Sequence, residues 1–162
     1  MKSEAIIEFG KPLQTIENDT PIPKGKEVLL KITYSGVCHS DVHLHDGYFD
    51  LGGGNQLPVG AAMNLPHTLG HEIEGEVVSF GSDVTDIEVG ANVVAYPWIG
   101  CGNCPTCETG DEHYCNAPKQ LGIQLPGGFS DYCLIPDSKY VLDYTGIRPG
   151  LAATYMLSLI HI

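Results

Sequence analysis

Four of the chain's six cysteines fall between Gly100 and Cys115, at positions 101, 104, 107 and 115. No other feature limits the fold as tightly as this C-x2-C-x2-C-x7-C spacing. Neighbouring thiolates on tight turns converge on one point, and Gly102 and Pro105 help the backbone make those turns. A fourth thiolate further along closes a tetrahedron of the kind that holds a structural zinc. Two disulfides would need an oxidising compartment, and Met1 runs directly into Lys2-Ser3-Glu4 with no secretory pattern. Iron–sulfur clusters use other common spacings. The stretch therefore reads as a zinc lobe that orders a loop with no apolar core of its own. A closed four-sulfur site leaves no open position, so any chemistry is expected elsewhere.

Around that lobe, the 162 residues suffice for one domain with a core. Glycine (20) and proline (11) are abundant and helical periodicity is scarce, which predicts a mainly β, loop-rich fold. A net charge of −12 argues against nucleic-acid or anionic-membrane partners. No apolar run is long enough to span a bilayer. The expected location is cytoplasmic.

Strands are predicted over 5–9, 27–34, 73–80, the stretch that follows Val89-Gly90, 127–136 and, briefly, 139–142, with a helix beginning near Gly150. Residues 47–66 read as a Gly/Pro-rich loop containing Gly52-Gly53-Gly54. In residues 27–34, Val28, Leu30, Ile32 and Tyr34 alternate onto one face.

The second chemical cluster is Cys38-His39-Ser40-Asp41-Val42-His43, directly after a predicted strand, together with His71-Glu72. Alone, a cysteine after a strand is most often a buried apolar residue. Together, these residue types suggest another zinc. Cys38 and His71 are its candidate ligands and Glu72 an alternative one. Asp41 is the candidate acceptor that orients an imidazole. Ser40 and His43 are candidates to pass a proton to solvent. His45 and His67 read as structural, His113 as solvent-facing and Cys133 as a buried, inert thiol; Trp98 suits a pocket wall and ordinary packing equally.

Four stretches carry a family resemblance: 36–43 (GVCHSDVH), 69–77 (LGHEIEGEV), Val89-Gly90 and the four-cysteine lobe, with 128–132 (GFSDY) in support. The chain resembles the zinc-dependent alcohol dehydrogenases of the medium-chain dehydrogenase/reductase superfamily, from Ala5 to about Met156. The resemblance implies a GroES-like β-barrel with a structural zinc lobe. It implies a catalytic zinc at Cys38 and His71, approached by Glu72, and a structural zinc at Cys101, Cys104, Cys107 and Cys115. Ser40 and His43 would form the proton relay, Asp41 would support the metal site and His39 would touch the cofactor pyrophosphate. The implied cofactors are zinc and NAD or NADP, the substrate a small alcohol or aldehyde, and the parent protein a homo-oligomer. Polyol or aldehyde-adduct dehydrogenases of the same superfamily, or a stand-alone zinc-binding barrel without turnover, are the alternatives.

The sequence also departs from the family. No G-x-G-x-x-G motif occurs, so the Rossmann domain of the parent is missing. Where relatives place a third zinc ligand, usually cysteine, this chain has Leu157. Residues 157–162 match the translation of a transposon-end sequencing adapter, so 1–156 are read as the domain, an inactive part of a longer enzyme. The segment 50–66, longer than in compact members, reads either as reshaping the substrate entrance or as a surface loop, with the first favoured because it joins two candidate ligands.

Overall fold

The computed structural model describes residues 1–157, Ala62 by its backbone alone. The adapter reading of 157–162 therefore lies outside the described residues except at Leu157.

The molecule is mainly β. Among the described residues, ten strands run in chain order: β1 (Lys2–Ile6), β2 (Gln14–Glu17), β3 (Val28–Gly36), β4 (Tyr48–Gly52), β5 (Asn55–Pro58), β6 (His67–Thr68), β7 (Glu72–Phe80), β8 (Asn92–Ala95), β9 (Tyr132–Ile135) and β10 (Val141–Asp143). Two short helices, α1 (His39–Asp46) and α2 (Pro105–Glu108), complete the main elements. β10-β8-β7-β3-β9 form one antiparallel sheet and β2-β1-β6 another, while β4 and β5 make a hairpin. Residues 127–131 join the two sheets. The Gly127 and Phe129 N–H groups donate to Thr68 and Leu69, and the Glu4 N–H donates to Phe129.

Two apolar clusters hold this arrangement. Val28, Leu30, Ile73, Val77, Ala95, Leu121 and Ile135 fill the larger one. Ile6, Leu44, Met63 and Leu69, with Phe9 and Phe129 against them, fill the other and seat α1. Burying a side chain of this size contributes roughly 1.5–3 kcal/mol.

Several elements differ from the sequence reading. β1 starts at Lys2 and stops before Phe9, whose ring instead packs into the α1 cluster. The predicted alternation in β3 fails at both ends: Leu29 is buried and Tyr34 is exposed. Register irregularities between Leu29 and Leu30, and between Ile32 and Tyr34, shift the faces. Residues 48–58 form a hairpin, not an irregular loop, and turn at the glycine run. Near the end, the helix expected from Gly150 is a single 3-10 turn, Ala153–Met156. Residues 139–142 divide between a 3-10 turn, Ser138–Tyr140, and β10.

Candidate active site

Strand register brings the second cluster together. β3 and β7 are antiparallel, with Gly36 opposite Glu72. Cys38, just past the end of β3, and His71, just before β7, therefore emerge at the same end of the sheet.

Cys38 is the extended N-cap of α1, with φ −89° and ψ 155°. Asp41 Oδ2 accepts the Cys38 N–H at 2.9 Å, and its charge suits the positive end of the helix. Gly47 ends the helix in the left-handed region at φ 84°, donating its N–H to the carbonyls of His43 and Leu44.

Gly70 shapes the other approach. Its φ is +95°, and a Cβ there would lie 2.6 Å from the Phe129 ring. Its N–H donates to Asp41 Oδ1 at 3.2 Å. One buried carboxylate thus ties the start of α1 to the turn that delivers His71.

His71 Nδ1 stands 3.3 Å from Asp41 Oδ1, close enough for an ion pair but without hydrogen-bond alignment. Both residues are 3 % exposed. Burial disfavours charge on the imidazole, but the Asp41 carboxylate, helped by the Cys38 thiol in contact with the ring, raises its pKa to about 9. With Nδ1 facing a carboxylate, Nε2 is the nitrogen left to bind a metal. Glu72, also buried, lies against the end of β3, where a Cβ on Gly36 would come 2.1 Å from Oε2.

Ser40 and His71 line one cavity of about 110 Å³ with Phe49, Trp98, Leu121 and Leu157. His43 sits behind Phe49, with ring centroids 4.8 Å apart, and its ring lies 4.7 Å from that of the exposed His39. Trp98 is thus a cavity residue. Phe49 reaches the cavity from β4, a stretch that the sequence pattern marks as loop. A larger cavity of about 440 Å³, walled by Met1, Ser3, Pro66 and Cys133 among others, includes none of the predicted site residues.

In the lobe, sulfur separations are 3.5 Å for Cys104–Cys107 and 3.9 Å for both Cys101–Cys107 and Cys104–Cys115. All four sulfurs lie within 4.8 Å of one another. A zinc–sulfur bond of about 2.3 Å gives a tetrahedral edge near 3.8 Å, so the cage fits that ion. The Cys101 and Ala117 N–H groups donate to Cys115 Sγ at 3.4 and 3.3 Å and draw its thiol pKa down to about 7. Burial pushes Cys107 up to about 11. Lys139 Nζ and Tyr140 Oη both donate to the Glu112 carboxylate, which moors the lobe to the barrel. Among the described residues, these cysteines are the only group of three or more metal-capable side chains close enough to share an ion. Among the same residues, Cys38 and His71 form a pair without a third.

The remaining candidates have structural surroundings. His45 bridges Asp46 and the Lys11 carbonyl, and His113 is exposed. Cys133 is buried, which pushes its thiol up to about 12, and donates to the Pro126 carbonyl.

Residues 24–156 match the family model described as the alcohol dehydrogenase GroES-like domain. An NAD-dependent alcohol dehydrogenase of Saccharolobus solfataricus is 41% identical over 141 residues, 87% of this chain and 40% of that protein. An L-galactonate-5-dehydrogenase of Escherichia coli is 35% identical over 91% of this chain and 40% of its own length. The cobalt- and zinc-bound thermostable alcohol dehydrogenase from Pyrobaculum aerophilum superposes with a TM-score of 0.77 at 31% identity, covering 95% of this chain and 44% of that one. The chain thus spans about two fifths of the length of the curated relatives it matches. In sequence and in its mainly β architecture, it belongs to the alcohol dehydrogenase GroES-like domain family of the medium-chain dehydrogenase/reductase superfamily.

Proposed function

We propose that this domain supplies the alcohol-binding and proton-transfer half of a zinc-dependent alcohol dehydrogenase. The whole enzyme would oxidise an alcohol to an aldehyde or ketone by hydride transfer to NAD or NADP. The observation that carries this reading is the contact of Cys38 with His71 beside a small cavity that Ser40 also lines. Zinc held there by a complete ligand set would act as a Lewis acid, so that a bound alcohol loses its proton near neutral pH.

The chain's own residues divide the remaining work. Ser40 receives the alcohol proton at the cavity wall. His43, three residues on and on the same side of α1, takes it outward. Asp41 holds the His71 ring in orientation. Glu72, buried at the start of β7 and next to His71 in the chain, is read as the alternative ligand. His39 at the start of α1 meets the cofactor pyrophosphate, where a helix N-terminus favours phosphate. Phe49, Trp98 and Leu157 keep water from the substrate. A polyol or sugar-acid substrate is the second reading, favoured by the likeness to the galactonate dehydrogenase. The modest cavity volume favours a small alcohol.

Two ligands make a poor zinc site, and Leu157 stands on the cavity wall where a third is needed. Leu157→Cys in the 162-residue polypeptide is expected to add a second tightly held zinc or cobalt, with Cys38→Ala in the same background abolishing it. A folded Leu157→Cys chain that holds no more metal than the parent would overturn the metal-centred reading of this cavity.

A further inference from the structure

Glu74, in β7, is 1 % exposed and has no part in the chemistry assigned above. A carboxylate buried this deeply needs partners. It has two: Tyr144 Oη donates to Oε1 at 2.8 Å, and the Gly150 N–H donates to Oε2 at 2.9 Å. Both partners belong to the segment that follows β10. A residue of the central sheet therefore grips the returning chain at two points.

That grip matters because the stretch between its two points has little burial of its own. Residues 145–149 are all exposed. Beyond Gly150 the chain dives inward: Ala152 and Ala153 are each 1 % exposed, and the 3-10 turn Ala153–Met156 packs on β3, β7 and β8. Leu157 then reaches the wall of the cavity shared by Ser40 and His71.

We propose that Glu74 is a positioning residue: by holding Tyr144 and Gly150 together it fixes where residues 151–157 meet the cavity, and so sets the space left for substrate beside His71. The functional half of this statement rests on reading that cavity as the alcohol site. The chemistry of the contact is demanding. An apolar residue accepts neither bond, and glutamine offers one oxygen to two donors while aiming its own NH2 at one of them.

Trp98 is the chain's sole tryptophan and lines the same cavity, so its fluorescence reports on the far end of the gripped segment. The test compares Glu74→Gln and Tyr144→Phe with the parent chain by far-UV circular dichroism, acrylamide quenching of Trp98 and hydrogen exchange of residues 150–157, all well below the unfolding transition. Glu74→Gln is expected to raise the quenching constant roughly twofold and to speed exchange of that segment, with unchanged secondary structure. Tyr144→Phe, which removes one hydroxyl, is expected to do the same more weakly. A general structural role would lower the melting temperature without opening Trp98 in the folded state. Folded variants with parental quenching and exchange would overturn the proposal. If Glu74→Gln does not fold, Tyr144→Phe decides by the same readouts. No substrate or added metal enters the measurement, so its failure stands apart from any failure of the dehydrogenase reading.

Discussion

His67 shows how one buried side chain makes stability depend on pH. It lies 5 % exposed in β6, opposite Ile6, and its Nε2 has no hydrogen-bond partner among the described residues. Burial lowers its pKa, and a hydrogen bond to the Gly122 backbone only partly offsets this. A depressed folded-state pKa means that the unfolded chain takes up the proton first as pH falls. Stability from this residue is therefore present above about pH 6.5 and is lost on acidification below it. Denaturant titrations from pH 7.5 down to 5 are expected to show a steeper loss for the parent than for His67→Leu. His71, with its raised pKa, pulls in the opposite direction, but it is common to both chains and cancels in the difference. Equal slopes would contradict the assignment. Cys38 and Asp41 stood out by residue type in one short stretch, whereas their meeting with His71 rests on the β3–β7 register and was expected chiefly from the family resemblance. Phe49 did not stand out: it reaches the cavity through the hairpin, and no local pattern reports that.

At the scale of elements, the lobe and the barrel are separate pieces of chain joined at few points. α2 and the turn Glu112–Tyr114 belong to the lobe, whereas Lys139 and Tyr140 belong to the barrel just before β10. Glu112 links the two, and the Lys139 and Tyr140 bonds help hold its carboxyl below the usual carboxylate range against the effect of burial. Glu112→Ala is expected to leave the four sulfurs in place but to speed zinc loss to a chelator several-fold, because the lobe loses its mooring. An unchanged release rate would assign that mooring to the rest of the lobe. The lobe itself could be read from cysteine spacing, since ligand chemistry constrains it locally. Its mooring could not, because the partners lie far apart in the chain. Residues 47–66 show a similar limit. Gly52, Gly53 and Gly54 signal a turn, but Tyr48–Gly52 and Asn55–Pro58 carry mostly exposed side chains and little alternation, so the pattern that marks a strand is absent.

At the scale of the molecule, two sheets bridged by residues 127–131 present, among the described residues, one complete ligand cage and one two-ligand pair. The resemblance covered nearly the full chain, so the architecture was legible before its strand order was known. What the sequence leaves open is how the C-terminal return is held, because a buried Glu74 looks like any other acidic strand residue until its donors are seen. The four-cysteine lobe is expected to bind zinc as it stands, and Cys38 and His71, without a third partner, are expected not to retain it. Metal content by mass spectrometry, after zinc loading and exhaustive dialysis of the 162-residue chain, tests this most directly. The account predicts close to one zinc per chain, falling towards none in Cys104→Ser. Two tightly held zincs in the parent chain, or an unchanged content in Cys104→Ser, would contradict it.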